Sequence, residues 1–150
     1  MAELKYTQFM KGLPPLLKEH VIGTDFEHFH VGETRWLFQV YYGRDRNIHY
    51  EVSRVAARSG RMLEIGLHLE SKDKQLNQFL LDHFSRYILE IREALGNQVV
   101  AEMWDRGWTK IYEAYPNEQL TTDVQKFTAE RMATFISVIQ PLYEHIRQSY

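Results

Sequence analysis

Four ionisable residues stand at alternating positions in two neighbouring segments of this 150-residue chain: His49 and Glu51 in IHYEVSRVA, His68 and Glu70 in RMLEIGLHLE. Side chains alternate between the faces of an extended strand, so each pair shares one face. A hairpin closed by a two-residue Ser59-Gly60 loop puts Glu51 opposite His68 and His49 opposite Glu70, with Gln39 and Tyr41 on the next strand. Imidazole set against carboxylate can raise a histidine pKa, orient a general base, or supply mixed nitrogen and oxygen ligands to a divalent ion. The same pattern also suits a solvated sheet face whose cross-strand pairs contribute about 0.2–1 kcal/mol each. His49, Glu51, His68, Glu70 and Tyr41 are the candidate ligand-binding residues on this face.

A second histidine pair, His28 and His30, lies in an alternating stretch at 25–31, where two imidazoles two residues apart can reach one ion. His28, His30 and His68 therefore make an alternative metal set. With Glu33 the string reads HFHVGE, which resembles the opening of the cupin metal motif, where two histidines and a glutamate bind one ion. The resemblance covers six residues; the second motif is missing, and long helices do not suit a jelly-roll barrel. Arg54 falls on the apolar side of its strand, across from Trp36 and Ile65, where a guanidinium has to be paired or stacked. Stacking on Trp36 is the expected arrangement. Anion binding in a mouth between sheet and helices is the functional alternative, and it adds Arg54 to the ligand-binding candidates.

Other chemistries find no support in the residues. The chain has no cysteine, which excludes disulfides, thiolate metal sites and thiol nucleophiles. It carries no Walker loop, no GxGxxG after a strand, and no GxSxG, HExxH or EF-hand string. No cofactor is required by the sequence; a divalent metal is the one that the His/Glu set admits. Eighteen basic against twenty acidic residues leave a formal charge of −2, which provides no field for nucleic acid. Aromatic strips at Trp104, Trp108, Tyr112 and Tyr115, and at Tyr41, Tyr42 and Tyr50, suit core packing or a protein interface. The opening MAELKYTQFMKGLPP lacks the features of a secretory leader, and no apolar run approaches a membrane span. The cytoplasm is the expected compartment, with no membrane partner.

The elements that must position these groups follow from periodicity. Strands are expected at 35–42, 48–56 and 61–70, and five-residue and two-residue loops place Phe38, Val40, Tyr50, Val52 and Leu67 on one apolar face. Residues 4–22 read as a helix broken at Gly12, Pro14 and Pro15. One long helix is expected from a Ser71 cap to Leu95, with Gly96 as a left-handed terminator. A hairpin at 98–115 with an Asp105-Arg106-Gly107 loop sets Glu102 against Lys110 and Trp104 against Trp108. A last helix runs from Thr121 or Thr122 to about Arg147, with a kink before Pro141.

The result is a single α+β domain, 1–150, with an antiparallel sheet of about five strands in the order α-βββ-α-ββ-α, a short extra strand at 26–31, and helices on one face. The functional expectation is a non-enzymatic binding module, a homodimer or a binder of another protein, acting through an aromatic-rich surface. The alternative is a small metal-dependent or acid–base enzyme at the His/Glu face.

Overall fold

A computed structural model describes residues 3–57, 60–117 and 119–150. In chain order the elements are α1 (Tyr6–Val21), β1 (His30–Val31), β2 (Phe38–Tyr41), β3 (Ile48–Ala57), β4 (Gly60–Leu69), α2 (Lys74–Arg86), α3 (Ile88–Leu95), β5 (Val100–Asp105), β6 (Trp108–Pro116) and α4 (Thr122–Arg147). The strands form one antiparallel sheet in the order β1-β2-β3-β4-β6-β5. This is the expected α+β class; the sheet has six strands, the sixth being the short extra one, here His30–Val31.

One layer of helices covers one face of that sheet. Phe38, Val40, Tyr50, Val52, Ile65, Leu67, Leu69 and Ile111 alternate along their strands into a core shared with Phe9, Leu13 and Leu17 of α1 and with Met132, Phe135 and Ile139 of α4. Helix α1 is continuous, contrary to the expected break. Pro14 and Pro15 lie inside it, and its buried stripe of Phe9, Met10, Leu13, Leu17 and Val21 runs through both turns. Packing of that stripe outweighs the backbone hydrogen bonds that two prolines cannot donate.

The expected 71–95 helix is two helices. Asp73, not Ser71, caps α2 by accepting the amides of Gln75 and Leu76, because a carboxylate two residues further on is the stronger anion for the helix end. Ser71 instead accepts the Asp73 amide. At Tyr87 the backbone leaves the helical region (φ −94, ψ 9), and α3 restarts to pack on α4. Gly96 ends α3 with φ +115 and ψ 163, a conformation open to glycine but not the left-handed cap expected. Helix α4 begins at a Thr121 cap and includes Pro141.

Registers decide what faces what. The β2–β3 pairing matches expectation, with Phe38 opposite Val52 and Val40 opposite Tyr50. The β3–β4 register differs by two residues: Ala57 pairs with Gly60, so Gly60 belongs to the strand and not to the expected Ser59-Gly60 loop, whose Ser59 lies outside the described residues. Val52 therefore meets Ile65, Tyr50 meets Leu67, and His49 meets His68, not Glu70. A two-residue slip leaves every side chain on its original face, which is why the apolar face survives the correction. The β5–β6 hairpin sets Glu102 opposite Lys110 as expected. A bulge at Trp104 then lets Asp105 pair with Trp108 across a two-residue Arg106-Gly107 turn. Both turn residues have positive φ, +43 and +89, as a type I′ turn demands. Strand 26–31 reduces to His30–Val31.

Candidate functional site: a buried histidine–carboxylate cluster on the open sheet face

The face turned away from the helices carries the ionisable residues. His49, Glu51, His68 and Glu64 are only 5%, 7%, 4% and 4% exposed, although no helix covers them. The groups that enclose them come from the sheet and its turns: Gln39 of β2, the Arg46 carbonyl, Trp104 of β5 and Lys110 of β6. Gly66, between Glu51 and Tyr112 in the ladder, lets β6 approach closely; a Cβ there would stand 2.5 Å from Tyr112 Cβ and 2.7 Å from the Ile111 carbonyl.

Each imidazole is oriented through Nδ1. His49 Nδ1–H donates to the Arg46 carbonyl at 2.9 Å, and His68 Nδ1–H donates to Glu70 Oε2 at 3.0 Å. Both Nε2 atoms are thereby turned towards Glu51, whose two oxygens lie 3.3 Å from His49 Nε2 and 3.7 Å from His68 Nε2. His49 Nε2 also receives the Gln39 amide at 3.2 Å, which marks it as an acceptor, and the same amide donates to Glu51 at 2.9 Å. Among the described residues the buried His68 Nε2 has no hydrogen-bond partner; Glu51 and Glu64 face it as ion-pair partners at 3.7 Å, beyond hydrogen-bond reach. The two rings stack at 5.6 Å. The four residues His49, Glu51, His68 and Glu70 each bring a donor atom to within 4.8 Å of the others.

The charges reinforce one another. Burial disfavours charge on His68, but the carboxylates of Glu64, Glu70 and Glu51 override it and hold the imidazole up to about 9. Burial likewise raises the Glu51 carboxyl, but the His49 ring beside it, the nearby His68 charge and the Gln39 amide hydrogen bond bring it down to about 2. Glu64 is held low against its own burial by His68 and by Lys110, which reaches it at 2.9 Å. Lys110 thus spends its ammonium on Glu64, not on its cross-strand neighbour Glu102, which accepts the Tyr112 hydroxyl at 2.6 Å.

Of the expected site residues, the structure brings together His49, Glu51, His68 and Glu70. Tyr41 lies on the same sheet, paired with His30, their rings 5.1 Å apart. His28 and His30 are exposed and stand outside the group of four, so the His28/His30/His68 set is not assembled among the described residues. Arg54 sits apart, on the helix side at the sheet's end, and donates to the Asn117 carbonyl at 3.3 Å. It lines a cavity of about 540 Å³ with Tyr6, Trp36 and Arg61. The guanidinium seated over Trp36, 5.3 Å from the ring centre, is that of Arg35.

Glu64 and Lys110 were missed as site residues. Glu64 was within reach of the strand alternation, since 64, 66, 68 and 70 share a face; Lys110 required the β4–β6 pairing. The aromatic strip of the β5–β6 hairpin divides: Trp104, Trp108 and Tyr112 stay with the open face, while Tyr115 packs edge-on against Phe127 of α4.

Among the described residues no helix is long and apolar enough to cross a membrane. Comparison with protein-family models, with curated proteins and with solved structures gave no match, so the functional reading rests on this geometry alone.

Proposed function

We propose that this chain is a non-enzymatic binding module that works as a homodimer through the aromatic end of its β5–β6 hairpin. One observation carries the reading: Trp104 and Trp108 remain 40% and 37% exposed with their rings 5.5 Å apart on the open face, and Met103, 54% exposed, adjoins them on β5, whose outer edge pairs with no other strand among the described residues. Large apolar side chains grouped in this way are a usual mark of a contact surface. Tryptophan and methionine are among the residues enriched at such contacts. A second copy is the occupant that fits, because a two-fold axis beside an edge strand pairs it antiparallel with its own twin, one patch serving both sides.

Light scattering on the eluting protein at micromolar concentration tests this. The expected species is near twice 17.9 kDa, and Met103→Glu combined with Trp108→Glu converts it to the single mass. A wild-type protein that stays at the single mass across the accessible concentration range overturns the reading. A second reading, acid–base or metal-assisted chemistry at the His/Glu cluster, is favoured by the paired orientation of His49 and His68.

A further inference from the structure

We infer that His49, Glu51 and His68 form a binding site for one first-row divalent cation, with Glu70 as the group that orients His68. Three features of the cluster point to a cation, and none depends on the oligomeric state.

The first is spacing. Donors on a four-coordinate ion with bonds of about 2.0–2.1 Å sit about 3.3 Å apart. His49 Nε2 and His68 Nε2 lie 3.3 and 3.7 Å from the two oxygens of Glu51. The second is the outer shell. Metal-binding histidines characteristically donate their other ring N–H to a carboxylate or a backbone carbonyl, which fixes the tautomer and aims the free nitrogen. His68 donates to Glu70 and His49 to the Arg46 carbonyl. Two independent imidazoles held in this way, both aimed at one carboxylate, exceed what cross-strand pairing alone requires.

The third is an unanswered buried atom and an unanswered charge. His68 Nε2 has no hydrogen-bond partner among the described residues, its side chain is 5% exposed, and it faces Glu51 and Glu64. Around it three carboxylates, Glu51, Glu64 and Glu70, face one ammonium, Lys110. Lys110 answers one of the three carboxylate charges; in the metal-free protein the His68 imidazolium answers a second, and a divalent ion that displaces its proton answers both that Lys110 leaves. Two imidazole nitrogens with a carboxylate select the zinc, nickel, iron and manganese class over magnesium and calcium, which prefer all-oxygen shells. On binding, His49 Nε2 exchanges the Gln39 amide for the ion, and Gln39 keeps its hydrogen bond to Glu51.

Calorimetric titration of the full chain, freed of metal with a chelator and then titrated with zinc chloride at neutral pH, decides the matter. The expected result is one saturable site per chain that magnesium does not occupy. Glu51→Gln, which preserves side-chain volume, and His68→Gln remove it. Glu70→Gln weakens it by about 10–100-fold, as loss of an outer-shell partner does. Circular dichroism establishes that each variant is folded; should His68→Gln fail to fold, Glu51→Gln and Glu70→Gln carry the test. His28→Ala with His30→Ala leaves the site intact. Absence of saturable zinc binding overturns the inference, leaving the His68 imidazolium as the cluster's cation. Binding that persists unchanged in Glu51→Gln, or vanishes in the His28/His30 variant, overturns it equally.

Discussion

Replacing Arg131 with methionine removes the partner of the most deeply buried charge on the helix side of the sheet. Glu113 is 0% exposed and accepts Arg131 Nε at 2.6 Å and Nη2 at 2.8 Å, with Gln98 Nε2 adding a third donor at 2.7 Å. The same guanidinium caps the Leu95 carbonyl at the end of α3, so it ties β6, α3 and α4 together. Arg131→Met leaves the buried carboxylate with only neutral neighbours, the Gln98 amide and the Tyr115 phenol. Stripping one partner from a buried pair costs about 3–5 kcal/mol, because the remaining charge stays desolvated. Against a domain stability of about 5–15 kcal/mol this is a large share, and the melting temperature falls by roughly 2–4 °C for each kcal/mol in a chain of this size.

Urea denaturation of Arg131→Met, Glu113→Leu and the double variant measures the effect. Removing both charges exchanges the pair for apolar packing, which is often neutral or stabilising. The double variant is therefore expected within about 1 kcal/mol of wild type, with a strongly favourable coupling in the cycle. A loss below about 1 kcal/mol for Arg131→Met, the range of an exposed pair, would refute the reasoning. So would a double variant that shows the full sum of the two single losses.

Two further predictions concern the frame of the open face and of the core. Gly66→Ala drives a methyl into Tyr112 Cβ and the Ile111 carbonyl. Backbone cannot yield as a flexible side chain does, so the expected loss is about 1–3 kcal/mol in urea, and an unchanged midpoint would mean that β4 and β6 are less closely apposed. Burial raises the Tyr50 and Tyr42 phenols above the ordinary value of 10.0. Their hydroxyls donate to Gln140 Oε1 at 2.8 Å and to the Phe26 carbonyl at 2.9 Å. A group whose folded pKa lies above its unfolded value gives stability that is whole below the unfolded pKa and is lost as pH climbs past it. Stability should therefore decline above pH 10, and in an ultraviolet titration these two of the nine tyrosines should ionise only as the fold opens. Ionisation of all nine near pH 10 with the circular dichroism intact would contradict it.

Much of the site was legible because a strand has a period of two. His49 with Glu51, and His68 with Glu70, share faces whatever partner each strand takes. The two-residue error in the β3–β4 register therefore changed which residues are opposite without moving any across the sheet. The helices were less legible. Period and propensity mark a buried stripe but not whether it bends at Tyr87 or survives Pro14 and Pro15, since both outcomes depend on the surface packed against it.

Alternation, turn residues and composition determined the α+β class, the apolar face and the residues that share the opposite face, because these follow from local geometry along the chain. Tertiary structure decided the rest. Pairing of β4 with β6 across two intervening helices brought Lys110 to Glu64, and with β5 it set Trp104 beside His68. Burial of an imidazole is a property of everything folded around it, and for His68 those neighbours come from segments that lie about as far apart in the sequence as β4 and β5.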